Sequence, residues 1–189
     1  MTSEEDLEIQ ALLRGVRDPG DAWVVAADGN RYWGTFGAAG LLAVDPERGI
    51  LMQHRVAWSD HGGTWAVPGG AINKGESAIA GAIREAQEEA GVPDDSVDVR
   101  FTHIVDRGGW TYTTVIAAVT TAFEPTISDP ESVALEWIAL DKVADLKLHP
   151  GFAGSWPALL SLITAEQSGS GDAELERLTA AGLNVARYQ

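Results

Sequence analysis

Hydrophobic and polar positions along this chain repeat with two different periods, and the switches between them outline its elements. Residues 36–44 (FGAAGLLAV) and 50–55 (ILMQHR) are mostly apolar runs on either side of a Pro-Gly turn, which predicts two buried strands. Val97, Val99, Phe101, His103 and Val105 alternate with other residues over 97–106, a half-buried strand with His103 as a satisfied core or edge residue. After the turn Asp106-Arg107-Gly108-Gly109, residues 110–121 (WTYTTVIAAVTT) are rich in β-branched and aromatic types and predict a central strand. A polar loop over 122–132 leads into a further strand at 133–140. Upstream, residues 23–26 and 31–33 flank Asp28-Gly29-Asn30, a hairpin whose aromatics are expected to pack beneath a small sheet.

The helical period appears in four stretches, one of which holds two helices. Residues 3–16 predict a short amphipathic helix capped by Ser3. Residues 77–91 predict a helix with Ser77 as N-cap, Gly91 as stop and Pro93 beyond. There Ile79, Ile83, Ala86 and Ala90 form one narrow apolar stripe. Residues 141–166 read as a short helix, a turn over 148–155 and a helix from about Trp156 with Ser155 as cap. Residues 167–171 (QSGSG) read as a flexible linker. A last helix runs from Asp172 as cap to Gly182 as stop, and it either packs back on the domain or crosses to a second subunit in a homodimer. The strand and helix order fits an α/β sandwich with a mixed sheet. It divides into an N-terminal extension (1–35), a central domain (36–166) and a C-terminal linker and helix (167–189).

Charge narrows the partners. The 189 residues carry a net charge of −15, which argues against a nucleic acid polymer, because no basic run exists to release counterions. A small phosphate ester stays open if a divalent cation offsets its charge. With no cysteine there is no disulfide, thiolate zinc site or cysteine nucleophile. The first ten residues lack an apolar segment and no run reaches the length of a membrane span, so neither a secretory signal nor a membrane partner is expected and a cytoplasmic location is the default.

The chemistry concentrates between Gly69 and Val92. Glu85, Glu88 and Glu89 lie at i, i+3 and i+4, where like charges repel by roughly 0.2–0.5 kcal/mol per pair. A hard divalent cation bound by carboxylate oxygens would offset that repulsion. Pro68-Gly69-Gly70 form a sharp turn whose main chain can approach a ligand closely. Four side chains are candidates for substrate contact: Trp58 and His61 in the loop after residue 55, for a base or a phosphate, and Trp110 and Tyr112, for stacking on a base.

Read in full, Gly70, five residues, Glu76, seven residues and then Arg84-Glu85-Ala86-Gln87-Glu88-Glu89-Ala90-Gly91-Val92 resembles the Nudix box, with Trp65–Gly70 as lead-in. Ala86 stands where that motif has a bulky aliphatic residue. The resemblance covers residues 65–92 closely and about 36–163 more loosely. It implies a Nudix-type α/β/α sandwich that hydrolyses a nucleoside diphosphate linked to another group. It implies Mg²⁺ or Mn²⁺ held by Glu85, Glu88, Glu89 and the Gly69 carbonyl. Glu88, Glu89 or Glu131 would take the proton of the attacking water, and Glu136 is the rival of Glu131. Arg84 would orient a glutamate, with Glu76 near it, and Arg55 would meet a substrate phosphate. Other members of the family leave marks that this chain lacks: there is no cysteine for a zinc ribbon, no coenzyme A signature and no proline in 94–124 as in ADP-ribose enzymes, and Tyr112 lies too far along for a diadenosine polyphosphate enzyme. What remains is a nucleoside triphosphate, with oxidised purine nucleotides included. An enzyme for ADP-ribose or another nucleotide sugar, or a non-catalytic nucleotide-sensing or protein-binding module, are the alternatives.

Overall fold

A computed structural model describes residues 18–189. The helix expected at 3–16 lies outside the described residues. A two-stranded antiparallel hairpin, β1 (Trp23–Val25) and β2 (Arg31–Trp33), precedes one large mixed sheet. The sheet is built from β3 (Ala38–Asp45), β4 (Gly49–Arg55), β5 (Trp65–Ala66), β6 (Gly69–Ala71), β7 (Val97–Asp106), β8 (Thr111–Val119), β9 (Ser132–Ile138) and β10 (Asn184–Arg187). Its helices are α1 (Ala78–Ala90), α2 (Pro150–Gln167) and α3 (Gly171–Ala180), with a 3-10 turn at Val143–Asp145 where the short helix was expected.

Strand order is β10-β7-β8-β3-β4-β5, with β6 also paired to β3 and β9 to β4. β3 and β8 run parallel from Ala38↔Tyr112 to Val44↔Ala118, and the other pairs are antiparallel. The two faces follow from the period of two along the strands. Ala39, Leu41, Ala43, Leu51, Val115 and Ala117 turn toward α1, which meets them with Ala82, Ala86 and Ala90. Leu42, Val44, Ile50, Met52 and Ile116 turn the other way, toward Phe152, Trp156, Leu159, Leu162 and Ile163 of α2 and Leu178 of α3. This is the expected three-layer sandwich.

Ser77 Oγ accepts the Ala80 N–H at 3.1 Å, and Gly91 ends α1 in the left-handed region at φ 63°. The buried stripe of α1 is rotated from the expected one. Ala82 shares its centre with Ala86 and Ala90, whereas Ile79 and Ile83 are only half-buried at its edge. Alanines let the helix lie close to β3, where a leucine at position 86 would hold it off.

Three expectations fail in the C-terminal third. Helix α2 begins at Pro150, with His149 as its cap, and runs through Pro157, well before the expected start at Trp156. An internal proline costs a helix about 3 kcal/mol or more. Burial of Phe152 and Trp156 ahead of it, and of Leu159, Leu162 and Ile163 behind it, offsets that cost. The expected linker is the last residue of α2, a three-residue turn and the first residue of α3, so Ser170 and not Asp172 stands at the N-cap. After α3 the chain adds an unexpected strand, β10, to the edge of β7, placing Val185 in the core. Helix α3 folds back on its own chain, held by Leu178 and by the bond from Ser161 of α2 to Glu174. Among the described residues no helix is long and apolar enough to cross a membrane.

Candidate active site

Helix α1 packs against the short strand β6, which carries two glycines. A Cβ on Gly70 would sit 2.6 Å from the Glu85 carboxylate carbon, and one on Gly69 would sit 2.5 Å from the Ala39 carbonyl oxygen. The missing side chain of Gly69 lets β6 lie close against β3, and that of Gly70 leaves the space that the Glu85 carboxylate fills. Gly69 N–H donates to the Glu89 carboxylate at 2.9 Å.

Arg84 organises the near side. Its Nε and Nη2 donate to the two oxygens of Glu76 at 2.9 and 3.0 Å, a two-pronged pair, and Nη2 also reaches the Ala71 carbonyl at 3.0 Å. Nη1 donates to Glu85 at 2.7 Å and to Glu88 at 3.2 Å. Glu76 is anchored further by the Asn73 N–H, and its hydrogen bonds to Arg84 hold its carboxyl below the usual range. Arg84 therefore joins the β6 turn to α1 and hydrogen-bonds Glu85.

The three acidic residues of the turn differ sharply. Glu89 is 8% exposed; burial, then the charges of Glu85 and Asp129, push its carboxyl up to about 8. Glu85 is also raised by burial, against the opposing pull of Arg84. The Glu88 side chain is 60% exposed and leans toward Arg84. The three do not bring one oxygen each within 4.8 Å of one another. Two desolvated carboxylates raised by burial and by neighbouring acidic charges fit a divalent cation, which would relieve both effects; Glu88 has to swing inward to join them.

The loop before β9 supplies a residue that sequence reasoning missed. Asp129 raises Glu89 more than Glu131 does. It is held from behind, where buried Gln53 donates to Ser132 Oγ at 2.7 Å and Ser132 donates to Asp129 at 3.0 Å. The Glu131 N–H also bonds to Asp129, while the Glu131 side chain is exposed. The signal was present in Ser128-Asp129-Pro130-Glu131-Ser132, where an Asp accepts from the two residues that follow a Pro turn. Glu136 is exposed on β9 opposite Met52. Gln53 keeps its Oε1 buried without a partner among the described residues.

The substrate-contact candidates divide. Tyr112 is pushed upward by burial and by the charge of Glu89, and the charge of Arg55 opposes this. Arg55 ends β4 with its Nε on the Asp60 carbonyl at 3.2 Å. Trp58 is 68% exposed on the following loop. Trp110 does not face a ligand. It is 9% exposed, stacks on Tyr32 at 4.3 Å and donates to the Trp33 carbonyl at 3.1 Å. Its ring is the platform on which the β1–β2 hairpin sits, because the β7–β8 turn carries it under β2. His103 is buried on β7, but its Nδ1 has no partner among the described residues, so it is not the satisfied residue expected.

The NUDIX domain profile matches residues 34–159. The chain belongs to the Nudix family. It is 46% identical over 159 residues to a protein of Mycobacterium tuberculosis strain H37Rv named putative 8-oxo-dGTP diphosphatase 3, with 79% of this chain and 73% of the relative covered. Among solved structures, a Nudix hydrolase from M. smegmatis, RenU, is 44% identical with a TM-score of 0.70, covering 77% of this chain and 96% of that one. The MutT protein of Methanosarcina mazei Go1 shares the fold at 21% identity and a TM-score of 0.52, over 65% of this chain and 90% of its own. The protein is a Nudix pyrophosphohydrolase, an enzyme acting on phosphorus-containing anhydrides.

Proposed function

We propose that this Nudix hydrolase converts an oxidised purine nucleoside triphosphate of the 8-oxo-dGTP type to its monophosphate and pyrophosphate. The substrate class follows the name of the M. tuberculosis relative. The observation that carries the chemistry is the pair of desolvated carboxylates, Glu85 and Glu89, packed against the Gly69–Gly70 main chain.

Glu85, Glu89, Glu88 and the Gly69 carbonyl would hold Mg²⁺, with Mn²⁺ as substitute. Such an ion neutralises phosphate charge and acidifies a water when bound. Arg84 keeps Glu85 aimed at the site through its grip on Glu76. Glu88, exposed on the same turn, or Glu131 across the cleft takes the proton of the attacking water, and Asp129 holds Glu131 through its main-chain N–H. Arg55, at the end of β4, receives a phosphate, and Trp58 lies open to a base.

The test is hydrolysis of 8-oxo-dGTP, dGTP, ATP and ADP-ribose, each with Mg²⁺ and with chelator, read as release of the nucleoside monophosphate, with pyrophosphate as co-product from the triphosphates and ribose 5-phosphate from ADP-ribose. The expected result is release that chelator abolishes and that is fastest with 8-oxo-dGTP. Faster turnover of ADP-ribose overturns the substrate assignment, and turnover unaffected by chelator overturns the metal assignment.

A further inference from the structure

A second metal-ligating cluster stands outside the carboxylate turn. Asp60 and His61, in the loop between β4 and β5, and His149, at the N-cap of α2, bring one ligand atom each within 4.8 Å of one another. Among the described residues no other group of three does so. The two imidazole rings lie edge to face at 4.6 Å, and His61 Nε2 is 3.9 Å from an Asp60 oxygen.

The loop holds this arrangement at a cost. His61 adopts φ 50°, and among the described residues it is the only residue other than glycine with positive φ. A side chain in the left-handed region is strained, and such strain persists where the surroundings impose it. Here they do. Thr64 Oγ1 donates to the His61 carbonyl at 2.6 Å, Gly62 N–H to the Ser59 carbonyl at 2.9 Å and Arg55 Nε to the Asp60 carbonyl at 3.2 Å. On the other side, His149 N–H bonds to the Trp65 carbonyl at 2.8 Å, which ties the start of α2 to the end of the same loop.

We propose that Asp60, His61 and His149 form a binding site for a transition-metal divalent cation of the zinc class, separate from the Mg²⁺ carboxylates. Two imidazole nitrogens and one carboxylate oxygen are a donor set that favours Zn²⁺, Co²⁺ or Ni²⁺ over Mg²⁺, which prefers oxygen alone. Three protein ligands leave a further position for water. The cation competes with the helix for His149, whose Nδ1 accepts the Gly151 N–H at 3.1 Å. In the neutral ring that bond puts the proton on Nε2. Coordination through Nε2 moves the proton to Nδ1, and coordination through Nδ1 replaces the bond, so either mode releases the cap. Because Arg55 is hydrogen-bonded to Asp60, the filled site fixes the loop beside the proposed phosphate contact.

The test is titration of the tag-free full chain with Zn²⁺, and with Co²⁺ as a spectroscopic probe, in excess Mg²⁺. The expected result is one bound equivalent and a visible cobalt absorption band. Asp60→Asn, His61→Ala and His149→Asn each weaken binding by about tenfold or more. Asparagine at 149 keeps an acceptor for the Gly151 N–H, so α2 stays capped while the imidazole is lost. A double variant Glu85→Gln, Glu89→Gln retains the equivalent. Absence of binding, binding indifferent to the three substitutions, or binding lost in the Glu85/Glu89 variant overturns the proposal.

Discussion

Helices α1 and α2 cover opposite faces of one sheet and do opposite work. Helix α1 turns only alanines to the strands at its centre, so it buries little but lies close. Helix α2 turns Phe152, Trp156, Leu159, Leu162 and Ile163 to the sheet and holds much of the larger core. The difference shows where a fold can tolerate self-repelling charge. A thin alanine face brings the acidic turn against glycine main chain, and the thick face opposite supplies the stability that this arrangement lacks.

The sharpest way to separate the two roles is Glu89→Gln against Leu159→Ala. Glu89→Gln is expected to lower kcat by about three orders of magnitude. Its metal-free melting temperature should hold near neutral pH and rise above about pH 8, where a buried repelling charge is removed while the amide oxygen still accepts from Gly69. Leu159, fully buried, should show the reverse, with a loss of about 3 kcal/mol in denaturant unfolding and unchanged kcat per folded molecule. A stability loss for Glu89→Gln equal to that of Leu159→Ala breaks the contrast.

Next in size is Ala86→Leu, which puts a bulky side chain on the thin face. Overpacking there should cost about 1–3 kcal/mol and also lower kcat, since α1 must move away from β6. Steady-state kinetics at a temperature where the variant is folded separates the two effects. If kcat holds, close approach of α1 is not what positions the carboxylates.

A further test is in pH. The Glu89 carboxyl rises from 4.5 to about 8 on folding, so the folded state binds its proton more tightly than the unfolded state. That contribution is fully present below pH 4.5 and is lost as pH rises toward about 8. Metal-free protein should therefore lose melting temperature across that window relative to Glu89→Gln, and Mg²⁺ should flatten the difference. Parallel melting curves with and without the ion contradict the placement of Glu89 at the cation.

What could be read from the sequence was local. The caps of α1, the alternation in β7 and the apolar runs of β3, β4 and β8 depend on neighbours within a few positions. What could not be read depends on distant partners. Trp110 looks like an exposed aromatic at a turn until β2 arrives beneath it. Pro157 looks like a helix boundary until the burial on both sides of it is known. Asp129 gains its influence on Glu89 only because Gln53 and Ser132, brought together by β4 and β9, hold it in place. Glu89 itself was singled out by spacing, but its burial and its bond from the Gly69 N–H depend on β6 lying beside the helix.

The added strand β10 has a consequence for solubility. It covers the outer margin of β7, and Arg187 fastens it there by ion pairs to Glu166 and Asp172 while lying over the Phe101 ring. Without it, β7 would present unpaired amides and carbonyls along a ready docking rail, to which a strand of another molecule could attach. The last few residues thus act as a selvedge that keeps one molecule's sheet from being woven into the next.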